Sequence, residues 1–248
     1  MRKPELSDLD LRRLAERAIF FGHQSVGDNI LAGVRELAAG HPGLGPKLVE
    51  SADPAVASKG TWVHARLGRN GDPAGKIADF GRQLDLGFGA RVDVAFMKLC
   101  YIDFAADTDG PALFATYERA MRALAQKYPA VTFVHVTVPL TTVATGVRAT
   151  LKRVLGRPVW GEGENARRYE YNQLLRRRLG AAPLFDLAEI EASDPRGEQA
   201  PAFANGRRFQ ALLPQLASDT GHLNERGRAA VAAELVKLIA NLPPTPSP

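Results

Sequence analysis

The sequence predicts an α/β fold of three layers, in which a five-stranded parallel sheet lies between two layers of helices. Short apolar runs alternate with longer segments of helical period along the 248 residues, the order required by parallel strands that crossover helices connect. Several of these runs are apolar almost throughout, as strands buried on both faces are. The composition, with 45% hydrophobic and 24% charged residues, is that of a globular chain with one sizeable core.

Five apolar runs are the predicted strands. They are residues 18–22, 62–67, 92–99, 131–138 and 184–187, with Lys47–Glu50 as a weaker candidate. These runs are rich in the β-branched and aromatic residues that favour strands.

Five segments with apolar residues at helical spacing are the predicted helices. They are residues 28–39, 73–84, 111–127, 165–179 and 224–241. Pro73 and Pro111 begin two of them, where the missing N–H costs nothing, and Asn224 is a typical N-cap. We therefore expect one domain over residues 1–242, followed by a disordered proline-rich tail at 243–248.

Two segments are too long to be simple connections between a helix and a strand. Residues 140–163 and 190–214 are rich in glycine, proline and charge. Long segments of this kind are often lids or excursions beside a functional site. We expect that role for both.

Charge and hydropathy exclude several classes of function. The formal net charge is +5, but the basic residues are spread along the chain, which argues against nucleic-acid binding. The arginines within residues 167–178 are typical of a solvated helix face. No apolar run reaches the ~18 residues of a membrane span, and acidic residues within positions 1–14 argue against an export signal in the printed chain. Compartment and oligomeric state stay open.

Metal and cofactor chemistry have no signature in the sequence. Cys100 is the only cysteine, which excludes an internal disulfide and a cysteine-based zinc site, and we expect it to be buried and inert. His64 and His135 lie within predicted strands, where histidines are more often hydrogen-bonded core residues than ligands. No phosphate-binding loop or dinucleotide fingerprint is present. We expect no metal and no cofactor.

A candidate nucleophile follows the first predicted strand. In parallel sheets, ligands bind beyond the carboxyl ends of the strands, and there the run GHQSVGD (22–28) contains Ser25. A serine at a helix start meets unpaired N–H groups that stabilise an oxyanion. The alternative is that Ser25 only caps the helix. His23 and Gln24 flank the serine and are predicted to contact substrate.

A candidate base lies just before the last predicted helix. Asp219 precedes His222 by three residues in SDTGHLN (218–224). An aspartate at this spacing can hold the imidazole in the tautomer that accepts a proton from serine. The alternative is a capping aspartate with a surface histidine.

Together, the serine after the first strand and the DxxH pair before the last helix resemble the SGNH/GDSL hydrolase family. The resemblance spans almost the whole chain and implies a flavodoxin-like strand order. It implies that Ser25 is the nucleophile, His222 the base and Asp219 its partner, although GHQSVG replaces the usual GDSL run. The oxyanion hole is implied to comprise the Ser25 N–H and a glycine after the next strand, which matches Gly71, with Gly68 as the competitor.

The third family motif departs from its usual form. A Gly-x-Asn-Asp run normally follows the central strand, but here the stretch reads Cys-Tyr-Ile-Asp (100–103). The asparagine that donates to the oxyanion is therefore missing, and Asn70 is its nearest substitute in sequence. We expect Asp103 to tie loops together rather than to act in catalysis.

The resemblance implies a serine esterase that acts on small acyl or acetyl esters, which can be carried on carbohydrate. Two alternatives remain open at the level of the sequence. A polysaccharide O-acetyltransferase would use the same acyl-serine and pass the acyl group to a sugar hydroxyl. A degenerate module would keep the fold and bind glycans without turnover.

Overall fold

A computed structural model describes residues 6–179, 181–193, 202–204 and 207–244 of the chain. At its centre lies a parallel sheet of six strands in the order β2-β3-β1-β4-β5-β6. The strands are β1 (Ile19–His23), β2 (Lys47–Glu50), β3 (Thr61–Arg66), β4 (Val94–Met97), β5 (Thr132–Val136) and β6 (Leu184–Phe185). Without β2, the order is the 2-1-3-4-5 order of flavodoxin-like folds, so the predicted α/β class and strand order are confirmed.

The sheet has one strand more than the five that were predicted. β2 pairs in parallel with β3 from Lys47↔Thr61 to Glu50↔His64. Its residues are exposed or half-buried because it lies at the edge of the sheet. A strand in that position needs no continuous apolar run, which explains its weak signal in the sequence.

Eight helices are described. They are α1 (Asp8–Ala15), α2 (Ser25–Ala38), α3 (Pro73–Asp85), α4 (Gly110–Lys127), α5 (Val147–Val154), α6 (Glu162–Arg178), α7 (Leu187–Ala192) and α8 (Glu225–Ala240). The five predicted helices correspond to α2, α3, α4, α6 and α8. Helix α1 was missed, although Ser7 and Asp10 form a capping box at its start.

The predicted excursions contain secondary structure of their own. Residues 140–163 include α5. Residues 190–214 include the end of α7 and the antiparallel strands β7 (Ala202–Ala204) and β8 (Arg207–Phe209). Of the predicted tail at 243–248, residues 245–248 lie outside the described residues.

Apolar side chains fill both faces of the sheet and form three layers. Helices α1, α2, α7 and α8 contribute to the core on one face, and α3, α4 and α6 contribute to the core on the other. Among the described residues, no helix is long and apolar enough to cross a membrane. Because the strands are parallel, β1, β3 and β4 end at the same edge, with His23 opposite Arg66 and Gly22 opposite Met97.

Candidate active site

Ser25 is the first residue of α2, directly beyond the end of β1. Gln24 occupies the N-cap position, so the alternative in which Ser25 caps the helix is wrong. The Ser25 hydroxyl lies 3.0 Å from His222 Nε2. The first-turn N–H groups of a helix lack intrahelical acceptors. Together with the helix dipole they give the N-terminus of α2, where this hydroxyl lies, a positive electrostatic potential.

The loop before α8 holds the histidine against the serine. Asp219 Oδ1 accepts hydrogen bonds from the backbone N–H groups of Gly221 and His222, both at 2.8 Å. Asp219 Oδ2 accepts one from His222 Nδ1 at 2.7 Å. A backbone bridge between Ala217 and Leu223 closes the loop. The Asp219 carboxylate therefore fixes both the loop and the ring of the histidine.

These contacts define the protonation of the pair. The hydrogen bond from Gly221 N–H, followed by those from His222, lowers the pKa of Asp219. An ionised Asp219 requires Nδ1 of His222 to carry a proton, which leaves Nε2 as the acceptor for the Ser25 hydroxyl. The side chains of His222 and Asp219 are 30% and 55% exposed, so the pair is open to solvent.

Asn29 ties the histidine loop to the helix that carries the serine. Its Oδ1 accepts a hydrogen bond from Leu223 N–H at 2.9 Å. Asn29 follows Ser25 by four residues, so both side chains lie on the same face of α2. The distance between Ser25 and His222 is thereby set from a single helix. Only the spacing of Asn29 from Ser25 could have indicated this role.

Tyr101 lies against the other side of the histidine. The rings of Tyr101 and His222 are in edge-to-face contact, with centroids 5.8 Å apart. A Cβ at Gly221 would lie 2.5 Å from the Tyr101 ring, so only glycine allows the loop to approach it so closely. Tyr101 therefore fixes the loop sterically.

Arg168 supports Tyr101 from the interior. Its Nε and Nη2 donate to the Tyr101 carbonyl at 3.1 and 2.8 Å, and its Nη1 donates to Thr141 Oγ1 at 2.9 Å. Burial lowers the pKa of Arg168 to about 10. The predicted solvated face at 167–178 is therefore wrong for Arg168 and for Arg176, which pairs with a carboxylate at 2.6 Å. A helical arginine run does not distinguish solvated from buried members.

The turn after β3 carries the predicted oxyanion residues. Gly71 has a φ of 82°, and Asp72 N–H donates to the Arg69 carbonyl at 3.2 Å, which is the geometry of a type II turn with glycine at its third position. The Gly71 N–H donates to Asp103 Oδ1 at 2.9 Å. Gly71 can serve an oxyanion only by releasing this bond, so its assignment stays a prediction.

The competitor Gly68 is engaged as well, because its N–H donates to Asp79 Oδ2 at 2.8 Å. Asn70 is exposed, and its Oδ1 accepts a hydrogen bond from Lys76 Nζ at 3.0 Å. This contact orients the amide and leaves its Nδ2 without a protein acceptor among the described residues. Asn70 therefore keeps a free donor.

Asp103 has the tying role predicted for it. Besides Gly71, it accepts hydrogen bonds from Lys76 Nζ and from Cys100 N–H. The turns after β3 and β4 are joined through this one carboxylate. Cys100 itself is buried, as predicted.

His23 was predicted to contact substrate, but its side chain is buried. Only 1% of it is exposed, and its Nε2 lies 3.0 Å from His64 Nδ1. Burial lowers the pKa of His23 to about 4. β1 continues through His23, so its side chain alternates into the core rather than into the site.

The remaining predicted polar residues have structural partners. Gln24 is half-buried, and its Nε2 donates to the Leu67 carbonyl at 2.7 Å, which joins the ends of β1 and β3; its contact with substrate stays a prediction. His64 and His135 are buried core residues, as predicted, and His135 Nδ1 lies 2.9 Å from Tyr117 Oη. Within the described ranges, no group of three or more His, Cys, Asp or Glu side chains could hold a metal.

No known family profile matches the sequence, and no curated protein matches it significantly. Solved structures similar to this chain include a candidate platelet activating factor from Streptococcus pneumonia, with a TM-score of 0.51 and 14% identity over 92% of this chain and 88% of that one. Others are a candidate lipolytic protein of the G-D-S-L family from Desulfitobacterium hafniense DCB-2 and a possible lipase from Chitinophaga pinensis DSM 2588.

The last two have TM-scores of 0.43 and 0.40 at 11% and 13% identity, over 89% and 88% of this chain and 98% and 95% of theirs. At such identities a structural likeness shows the fold alone. The likeness to the first of these structures, with its TM-score of 0.51, confirms the predicted resemblance at the level of the fold.

Proposed function

We propose that this protein is a serine hydrolase that cleaves ester bonds, with Ser25 as nucleophile. The observation that carries the proposal is the chain of hydrogen bonds from Ser25 Oγ through His222 to Asp219, at 3.0 and 2.7 Å. Ser25 and His222, which the first of these hydrogen bonds joins, are 197 positions apart in the sequence. A serine, a histidine and an aspartate in this order are the groups that acyl transfer through an acyl-serine requires.

Each group has a defined task in the proposed reaction. His222 Nε2 takes the hydroxyl proton as Ser25 Oγ bonds to the ester carbonyl carbon. The tetrahedral intermediate then expels the alcohol, which receives that proton from His222. A water molecule, deprotonated by the same nitrogen, then attacks the acyl carbon. The bond from this carbon to Ser25 Oγ breaks as His222 Nε2 passes the proton to Oγ, which releases the acid and restores the serine hydroxyl. Asp219 stays ionised throughout and stabilises the imidazolium.

The oxyanion needs donors that are free at the moment of attack. We assign the backbone N–H of Ser25 and the side-chain Nδ2 of Asn70 to this task. Gly71 joins them where its N–H leaves Asp103. The substrates we propose are small acyl or acetyl esters, including those carried on carbohydrate.

A non-catalytic glycan-binding module is the second candidate. It is favoured by the engagement of the Gly71 and Gly68 N–H groups with carboxylates and by Ile102 at the position of the missing asparagine. An O-acetyltransferase would share the acyl-serine and differ only in the acceptor.

A fluorophosphonate probe followed by peptide mapping separates these functions. We expect labelling at Ser25, its loss in Ser25→Ala, and no change in Ser58→Ala, a matched exposed serine before β3. Hydrolysis of p-nitrophenyl acetate should follow the same pattern. Labelling of another serine, or turnover that survives in Ser25→Ala, would contradict the proposal. Acyl transfer to added sugar that exceeds hydrolysis would favour the transferase.

A further inference from the structure

Helix α5 exposes a row of apolar side chains to solvent. The exposed residues are Val147 (86%), Leu151 (56%) and Val154 (78%) of the helix, its C-cap Leu155 (56%), and Trp160 (49%), six residues after Val154. The three helical residues and the C-cap follow one another at the spacing i, i+4, i+7 and i+8, which is one face of a helix. Isolated exposed apolar residues need no explanation, but a contiguous face of them marks an interaction site.

The opposite side of α5 is fixed to the protein. Ala149 is buried. Arg153 Nε donates to Glu162 Oε1 at 2.6 Å, and Arg153 Nη2 donates to the Ala144 carbonyl at 3.1 Å. The apolar face therefore points outward because the helix is held in that orientation.

Free positive charges border the apolar face. Arg148, Lys152 and Arg157 are exposed, and no acidic side chain of the described residues pairs with them. The one acidic residue of segment 140–163 is Glu162, which is occupied by Arg153. The surface thus combines an apolar stripe with unneutralised cations.

This surface adjoins the candidate catalytic loop. Thr142 N–H donates to the carbonyl of Thr220 at 2.9 Å, and Thr220 lies between Asp219 and His222. Ala144 N–H donates to the carbonyl of Trp160 at 3.2 Å, which closes the base of the excursion. Whatever binds to the apolar face of α5 is therefore held close to the candidate catalytic loop.

We propose that α5, together with Leu155 and Trp160, docks onto the surface of an anionic lipid membrane. A helix with an apolar face, flanking basic residues and a nearby exposed tryptophan lies in the headgroup region, where apolar side chains enter the acyl boundary and cations meet anionic headgroups. The three free cations argue for lipid over a purely apolar protein partner. Docking needs no turnover, so it stands apart from the proposed hydrolysis.

The three cations should make binding depend strongly on the charge of the lipid. Each Lys or Arg near an anionic membrane strengthens binding about fivefold. Three such residues make partition onto anionic vesicles about a hundredfold stronger than onto zwitterionic ones. Salt should weaken this preference, because it screens the headgroup charge.

Vesicles of ether-linked lipids test the proposal without any ester for the enzyme to cleave. The full-length protein is mixed with vesicles of phosphatidylcholine alone, or of equal parts phosphatidylcholine and phosphatidylglycerol, and sedimented. We expect binding to the anionic vesicles with a blue shift of tryptophan fluorescence. Trp62 is fully buried, so the shift should vanish in Trp160→Phe.

Matched variants assign the binding to α5. Leu151→Glu, and separately Arg148→Glu with Lys152→Glu, should abolish sedimentation, while Leu86→Glu, an equally exposed leucine at the end of α3, should leave it unchanged. All of these positions are exposed, and unchanged thermal melting verifies folding. Equal binding to both vesicle types, binding to neither, or a concentration-dependent dimer that Leu151→Glu dissociates would overturn the proposal.

Discussion

The ammonium group of Lys76 lies 2.7 and 2.8 Å from the two carboxylate oxygens of Asp103, and both side chains are fully buried. The same carboxylate accepts the N–H groups of Gly71 and Cys100. One ion pair thus joins α3 to the turns that follow β3 and β4. Because Asp103 shares its 3-10 turn with Tyr101, the pair also supports the residue that packs against His222.

Removing one partner of this pair should destabilise the protein strongly. Lys76→Met leaves a buried carboxylate without its cation, which typically costs about 3–5 kcal/mol. The double variant Lys76→Met/Asp103→Asn removes the stranded charge. Its single amide oxygen replaces only one of the two acceptors, Oδ1 for Gly71 N–H or Oδ2 for Cys100 N–H, but an unpaired amide costs less than an unpaired buried charge, so the double variant should lose less than the single variant. Urea unfolding at neutral pH measures both free energies.

The control for this comparison is Lys237→Met, which breaks an exposed pair with Glu234 at 3.0 Å. Exposed pairs contribute about 0–1 kcal/mol, so its stability should stay near that of the wild type. A double variant as unstable as Lys76→Met would contradict the stranded-charge explanation.

Asp219→Asn should separate catalysis from folding. The asparagine Oδ1 can still accept the N–H groups of Gly221 and His222, so the loop keeps its shape. Its Nδ2 then faces His222 Nδ1 and requires the other tautomer, whose Nε2 carries a hydrogen and cannot accept the serine proton. We expect kcat to fall by on the order of 10³–10⁴ with an unchanged melting temperature.

Asp53→Asn is the matched control, since Asp53 also accepts a backbone N–H, that of Ala55, but caps a 3-10 turn (Pro54–Val56) and has no hydrogen bond to a histidine within the described ranges. It should change neither activity nor melting. If Asp219→Asn kept full turnover, a role for Asp219 in holding the tautomer would be excluded.

The residues that sequence reasoning found are those whose signals are local. Ser25 was recognised from the strand before it and the helix after it, and Asp219 and His222 from their spacing of three. Asn29, Lys76 and Arg168 were missed. Arg168, for example, acts on Tyr101, 67 positions away, and no periodicity of α6 reports such a partner. Sequence reasoning also missed that the Gly71 N–H would be occupied, because its acceptor lies beyond the next strand.

Elements were predicted where apolar periodicity was strong. β1 and α8 are buried along most of their length, and both were predicted to within one residue at each end. β2 was weak because its side chains are half-exposed at the sheet edge. α5 was missed because it lies in a segment rich in glycine and charge, which the sequence analysis treated as irregular. Its apolar residues face solvent rather than the core.

Buried His135 should make stability depend on pH below neutrality. Burial lowers its pKa from 6.5 to about 4, so between these values the unfolded chain binds a proton that the folded chain does not. Stability therefore falls as pH drops through this window, by about 3 kcal/mol in all. His135→Gln keeps an acceptor for Tyr117 and should reduce the slope by about 1.4 kcal/mol per pH unit.

Denaturant unfolding at several pH values between 4 and 8 measures this slope. Above pH 7 both proteins should show the same pH dependence, whatever the difference in their absolute stability. An unaltered slope between pH 4 and 6.5 would mean that His135 is protonated in the folded state. Burial also lowers the pKa of His23 to about 4, so the stability of the variant should still fall, less steeply, as the pH drops.

The last prediction concerns Asn70, whose two side-chain atoms have different partners. Its Oδ1 accepts from Lys76 Nζ, whereas its Nδ2 is free to donate to an oxyanion. If Nδ2 donates in the transition state, Asn70→Ala and Asn70→Asp should both lower kcat by about 10² with little change in KM, because the bond forms chiefly in that state. If Oδ1 matters only as the partner of Lys76, Asn70→Asp should keep both activity and melting temperature, since a carboxylate accepts at least as well.

Asn70→Ala and Asn70→Gly would then lower the melting temperature, because neither residue offers Lys76 an acceptor. Turnover and melting of the three variants therefore decide between the two atoms: loss of kcat in all three assigns the donor, and loss of stability in alanine and glycine alone assigns the acceptor.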